Sequence, residues 1–212
     1  MAKALTARNL LEKRPGRTIR LTNEHLSEAV GAPEARGCWL IYGSEKNGKT
    51  WFSLTMAKDI AKNERVAYIS AEEGTDMSFQ NAVTRAGITP ADKIVFEEYM
   101  TIEEIVEKYG KPKTARVLFI DNLTIYPDEL KSVGVRDFMN RLPNKLIVFV
   151  AHEERKEPYP ACARMAKKLA KVFVHVQGLR ANVVSRFAKG GTIVIDIEKG
   201  EMCWGAEELV EY

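Results

Sequence analysis

Gly43-Ser44-Glu45-Lys46-Asn47-Gly48-Lys49-Thr50 fits G-x-x-x-x-G-K-[ST] at every fixed position. The pattern has a mechanism. Its glycines let backbone N–H groups close around phosphate oxygens, its lysine reaches the β- and γ-phosphates, and its hydroxyl ligates Mg²⁺. Gly43, Ser44, Glu45, Lys46, Asn47, Gly48, Lys49 and Thr50 are therefore expected to cradle a nucleotide, with ATP and Mg²⁺ as the implied cofactors. Upstream, Cys38-Trp39-Leu40-Ile41-Tyr42 is a short apolar run that reads as a buried strand. Downstream, Trp51 to Ala61 carries apolar residues at helical spacing. Strand, glycine loop and helix is the setting the motif requires, because the helix offers its positive N-terminal end to the same phosphates.

The rest of the chain repeats that alternation. Arg65 to Ser70 reads as a second strand, Phe79 to Ala86 as a helix, and Lys93 to Phe96 as a short strand. Ile102 to Tyr109 is helical, Ala115 to Asp121 is a continuous apolar strand, Leu130 to Leu142 is a helix and Lys145 to Ala151 another strand. Apolar strands alternating with helices predict an α/β protein with a parallel sheet covered on both faces. Val172 to Val176, Asn182 to Phe187, Thr192 to Glu198 and Met202 to Trp204 are short strand candidates separated by glycines, so antiparallel additions are expected at the C-terminal end. Residues 1–36 read as lead-in helices, Leu5 to Lys13 and a second capped by Thr22 or Asn23, ahead of a core at 37–212. Sequence does not separate packing of this lead-in on its own domain from packing on a neighbour.

The second half of a phosphate site is an apolar strand that ends in an acid, and Asp121 ends such a strand as the expected indirect Mg²⁺ ligand. The next residue is Asn122, which cannot activate water, so a hydrolytic enzyme must take its base from elsewhere. Ser70-Ala71-Glu72-Glu73, at the end of the second strand, offers two carboxylates.

With these residues the chain resembles the RecA-like ATPases, including the DnaB-type helicases. The resemblance implies a RecA-like P-loop fold and Glu72 as the catalytic glutamate, with Glu73 as the alternative. It also implies that His152, which ends Val148-Phe149-Val150-Ala151, senses the γ-phosphate where the family more often has Gln, Asn or Ser. Val183 to Gly191 looks like the segment whose basic pair reaches the nucleotide of the next subunit, which makes Arg186 and Lys189 the candidates. The resemblance spans roughly Gly37 to Trp204.

Composition bounds the partners. The chain has 212 residues, 45% hydrophobic and 29% charged, with a net charge of +3. That suits one globular α/β domain. No apolar run approaches the roughly 20 residues of a membrane span, and Met1 to Arg8 lacks the apolar core of a secretory signal. Cys38, Cys162 and Cys203 form no disulfide framework or metal spacing. A reducing cytoplasm is the expected compartment. His25 is expected at the surface.

Between Pro158 and Ile195 there is no acid, and Arg164, Lys167, Lys168 and Lys171 fall at i, i+3, i+4, i+7. A helix would carry them as one basic stripe facing a polyanion, with Met165, Leu169 and Val172 turned to the core. Glu153 to Pro160 reads as an exposed loop in which Tyr159, Arg155 and Lys156 would touch single-stranded DNA. The expected protein is an oligomeric Mg-dependent ATPase acting on nucleic acid in recombination or replication. The alternatives are a nucleotide-dependent switch or scaffold with negligible turnover, and a small-molecule P-loop kinase.

Overall fold

The computed structural model describes residues 4–14 and 16–204. The chain runs α1 (Ala7–Leu11), α2 (Glu24–Val30), β1 (Gly37–Gly43), α3 (Lys49–Ala61), β2 (Val66–Ser70), α4 (Met77–Arg85) and β3 (Ile94–Glu97). It continues through α5 (Ile102–Tyr109), β4 (Val117–Asp121), α6 (Pro127–Val133), α7 (Val135–Arg141), β5 (Leu146–Glu154) and β6 (Glu157–Tyr159). The remainder is α8 (Ala161–Leu169), β7 (Val172–Gln177), β8 (Arg180–Ser185), β9 (Gly191–Val194) and α9 (Ile197–Trp204).

The strands form one mixed sheet in the order β3-β2-β4-β5-β1-β7-β8-β9, with β6 added to β5. Pairing is parallel from β3 through β7 and antiparallel for β6, β8 and β9. This is an α/β protein with helices on both faces. Every residue of β2 and β4 is buried, as expected of parallel strands without a solvent face. Side chains alternate between two apolar layers. Trp39, Ile41, Tyr68 and Phe119 meet α3 on one face, and Leu40, Ile69, Leu118 and Phe149 meet α5, α7 and α8 on the other. Among the described residues no helix is long and apolar enough to cross a membrane.

Several sequence expectations change. The predicted helix from Leu130 to Leu142 is two helices, because Gly134 takes a φ of +81° between α6 and α7. The loop from Glu153 to Pro160 is a tight hairpin in which β6 pairs with the end of β5, and Arg155 and Lys156 occupy its left-handed turn. Met202 to Trp204 belong to α9 rather than to a strand. In α8 the buried face is Cys162, Ala163 and Ala166, while Met165 is 45% exposed. Small residues let this helix approach the sheet closely, and the helix ends before Lys171.

The N-terminal lead-in packs on its own chain. Ile19, Leu21, Leu26, Ala29, Val30 and Ala35 join the core on the α3 face, while α1 buries nothing. Asp59 of α3 fixes this segment. Its carboxylate accepts from the backbone N–H groups of Thr22 (2.7 Å) and Asn23 (3.1 Å), from the Thr22 hydroxyl and from Lys62 Nζ. Burial opposes ionisation, but these hydrogen bonds prevail and hold the Asp59 carboxyl below its ordinary range. Asp59→Ala is expected to cost about 2 kcal/mol in urea unfolding, since it orphans two backbone donors. The sign with pH follows from the lowered value. Asp59 contributes fully above the ordinary carboxylate range and loses its contribution as pH falls from that range through its lower folded value, so the parent and variant curves should converge in acid.

Candidate nucleotide site

Parallel pairing brings the carboxyl ends of β1, β2, β4 and β5 to one edge, where open α/β sheets bind ligands. The register places Gly43 beside His152, Ser70 beside Asp121, and Asp121 beside Val150. The candidate residues from four separate stretches therefore meet.

The glycine loop leaves β1 and enters α3. Gly48 sits at φ +96°, and a Cβ there would come within 2.8 Å of Leu179 Cδ2. A Cβ at Gly43 would fall on the Val176 carbonyl. Gly48 is required by its left-handed φ, and Gly43 by the close approach of the Val176 backbone. The loop is tied to the β7–β8 turn, because Asn47 accepts from Gly178 N through Oδ1 (2.6 Å) and from Leu179 N through its carbonyl (3.3 Å). Ser44 Oγ donates to Glu153 Oε1 (2.6 Å), and Glu153 Oε2 lies 2.6 Å from His175 Nε2.

Lys49 is 7% exposed and turns its Nζ back on the Ser44 carbonyl at 2.7 Å. Burial lowers its pKa, opposed by the charges of Asp121 and Glu72. Thr50 Oγ1 is 3.5 Å from Asp121 Oδ2. Asp121 is buried and accepts from the Tyr68 hydroxyl at 2.7 Å, which in turn meets Ser53 Oγ at 2.7 Å. Burial pushes the Asp121 carboxyl up to about 6, and the charges of Glu72 and Glu73 add to that, while Tyr68 and Lys49 counter it.

Glu72 and Glu73 face different ways. Glu72 Oε2 accepts from Asn122 Nδ2 at 2.9 Å, and its Oε1 is 3.4 Å from His152 Nε2. Glu73 instead accepts from Ser78 Oγ at 3.3 Å. It lines a cavity of about 460 Å³ with Lys46, Lys49, Thr50, Trp51 and Arg85. His152 Nδ1 is buried with no partner among the described residues. A buried nitrogen of this kind calls for a water or a ligand.

Other expected residues lie elsewhere. Because β8 runs antiparallel, Arg186 follows its end at the opposite edge of the sheet, beside Lys171, and Lys189 lies on the same β8–β9 loop. Neither meets the glycine loop of its own chain. Of the basic stripe, Lys167 pairs with Glu157 (3.1 Å) and Lys171 pairs with Glu34. Arg164 and Lys168 point to solvent, as does Tyr159. His25 is exposed, as expected. Cys38 and Cys162 are buried, and burial pushes the Cys38 thiol up to about 12, so neither behaves as a reactive thiolate. Cys203 falls on α9, and its side chain lies outside the described residues.

Sequence reasoning missed the supports of the site. Asn122 was legible only as an acid that is lacking, yet it holds Glu72. Tyr68 and Ser53 read as ordinary strand and helix residues, yet they orient Asp121. No protein-family model matches the chain, and no curated protein matches it.

Proposed function

We propose that the chain is a RecA-like P-loop ATPase that hydrolyses Mg·ATP and acts on nucleic acid as an oligomer, in recombination or replication. The observation that carries this reading is the position of Glu72. It is held by Asn122 and His152 at the same sheet edge as Lys49, Thr50 and Asp121.

The residues present fit the nucleotide and the metal. Thr50 Oγ1 would ligate the metal, and Asp121, whose Oδ2 lies 3.5 Å from that oxygen, would hold the metal indirectly. The metal would supply positive charge there to offset that of the phosphates. Lys49 Nζ exchanges the Ser44 carbonyl for phosphate oxygens, so its charge is already aimed at the place where negative charge develops. Glu72 accepts a proton from the attacking water, and Asn122 and His152 fix the direction from which it does so. His152 Nδ1 is left to bind the γ-phosphate or that water. Arg186 and Lys189 reach a nucleotide only across a subunit boundary, so their part in hydrolysis depends on assembly.

The test is phosphate release from Mg·ATP, with and without single-stranded DNA, in the parent and in Lys49→Ala. Turnover that DNA stimulates and the substitution abolishes is the expected result. Lys49-dependent turnover indifferent to nucleic acid would redirect the reading to a protein-directed ATPase. Nucleotide binding without turnover in either condition would favour a switch.

A further inference from the structure

Each strand of the parallel part of the sheet is preceded by a cation. Arg36 precedes β1, Arg65 β2, Lys93 β3, Arg116 β4, Lys145 β5 and Lys171 β7. Lys and Arg together make up 32 of 212 residues, so composition alone does not produce such a row. Parallel pairing aligns these positions along the amino-terminal edge, in the spatial order Lys93, Arg65, Arg116, Lys145, Arg36, Lys171. Arg186, after the antiparallel β8, extends the line past Lys171. At about 4.8 Å per strand, seven positions span about 29 Å. That is the axial length of about eight base pairs.

The row is under-compensated. Glu64 is shared by Arg17 (2.7 Å) and Arg116 (3.4 Å), and Glu34 by Lys171 and Arg36. These are the acids that line the three cavities along this edge. Arg65 and Lys93 are exposed and have no acidic partner among the described residues. Lys145 spends its Nζ on Thr114 Oγ1 (2.8 Å) and the Ala115 carbonyl (2.6 Å). Its pKa is lowered by burial and then by Arg116 and Arg65, so the cations crowd one another. Among the described residues no aromatic side chain lines the three cavities, so base stacking, the usual device for single strands, has nothing to work with.

We propose that this cationic row binds the phosphate backbone of a nucleic-acid duplex, on the edge of the sheet opposite the glycine loop. The inference deepens the nucleic-acid part of the proposed function and moves the contact away from α8, whose Lys167 is already paired with Glu157. It is independent of nucleotide. Phosphates contacted by lysine and arginine give binding without base specificity and with a steep salt dependence.

The experiment is fluorescence anisotropy of the nucleotide-free protein with a duplex of about 20 base pairs and with the matching single strand, between about 50 and 200 mM salt. The parent should prefer the duplex, with a log–log salt slope of about −3 or steeper. Arg65→Glu/Lys93→Glu should weaken duplex binding by at least about tenfold and flatten the slope by about 2. Arg65→Gln/Lys93→Gln keeps the test alive should charge reversal impair folding, and it should flatten the slope equally. Arg164→Glu/Lys168→Glu on α8 should change neither. Preference for the single strand, or binding lost only through α8, overturns the proposal. So does lowered thermal stability with unchanged binding, which would mean that the row merely offsets the carbonyl ends of helices. ATP hydrolysis measured with and without nucleic acid separates the two readings. Duplex binding with no turnover in either condition refutes the ATPase and keeps the row, and turnover without duplex binding does the reverse.

Discussion

Glu72→Gln is expected to bind Mg·ATP with near-parental affinity and to hydrolyse it about 10²- to 10⁴-fold more slowly, the usual worth of a general base. The amide keeps the shape of the side chain and can still meet Asn122 and His152, but it cannot take a proton from water. Removing a negative charge near Lys49 and Asp121 should, if anything, strengthen binding of a polyanionic nucleotide, because Glu72 is among the charges that perturb both groups. Glu73→Gln is the control. Glu73 is turned toward Ser78 and the cavity, so its loss should change nucleotide affinity more than the chemical step. Single-turnover phosphate release together with equilibrium nucleotide binding distinguishes the two. Parental turnover in Glu72→Gln would remove it as the base.

Asn122 gives that experiment a second arm. Asn122→Ala leaves the Glu72 carboxylate in place but removes the 2.9 Å hydrogen bond that aims it. The same step should slow by an intermediate factor with nucleotide affinity unchanged. A loss as large as that of Glu72→Gln would show that orientation accounts for nearly all of the base's contribution.

What the sequence revealed divides along a physical line. The glycine loop and Asp121 were legible because their chemistry demands fixed residue types at short spacing, on elements with clear apolar patterns. The supports were not. Asn47 meets Gly178, and Ser44 meets Glu153, through contacts more than 100 residues apart, which exist only once the strand order is set. The cations that precede the parallel strands are equally invisible along the chain, since each stands alone and the sheet alone lines them up. Ile19 and Leu21 looked like lead-in because no regular element carries them. They are buried because Asp59 pins the neighbouring backbone onto α3. Gly134 lies inside the helix expected from Leu130 to Leu142, and its positive φ splits that helix in two.

Asp121, the proposed metal-site carboxylate, costs the folded chain stability at neutral pH. Its carboxyl is raised to about 6 by burial, against about 3.9 in an unfolded chain. Between those values the folded protein holds the proton more tightly, so ionisation of Asp121 works against the fold as pH rises through about 6. With 1.36 kcal/mol for each pH unit between the two values, the penalty approaches about 3 kcal/mol at pH 8 and fades toward pH 4. Asp121→Asn removes the charge and keeps an acceptor for the Tyr68 hydroxyl. The nucleotide-free variant should therefore unfold at higher urea than the parent at pH 8, by about 2–3 kcal/mol, with the two curves converging near pH 4. Mg·ATP should reverse the order. A ligand that binds only the folded state stabilises by mass action, and the variant lacks the oxygen that would share the metal with Thr50. Denaturant unfolding at pH 8 and pH 4, with and without Mg·ATP, reads both effects. A variant less stable than the parent at pH 8 without nucleotide would show that Asp121 is compensated in the fold rather than kept for its ligand.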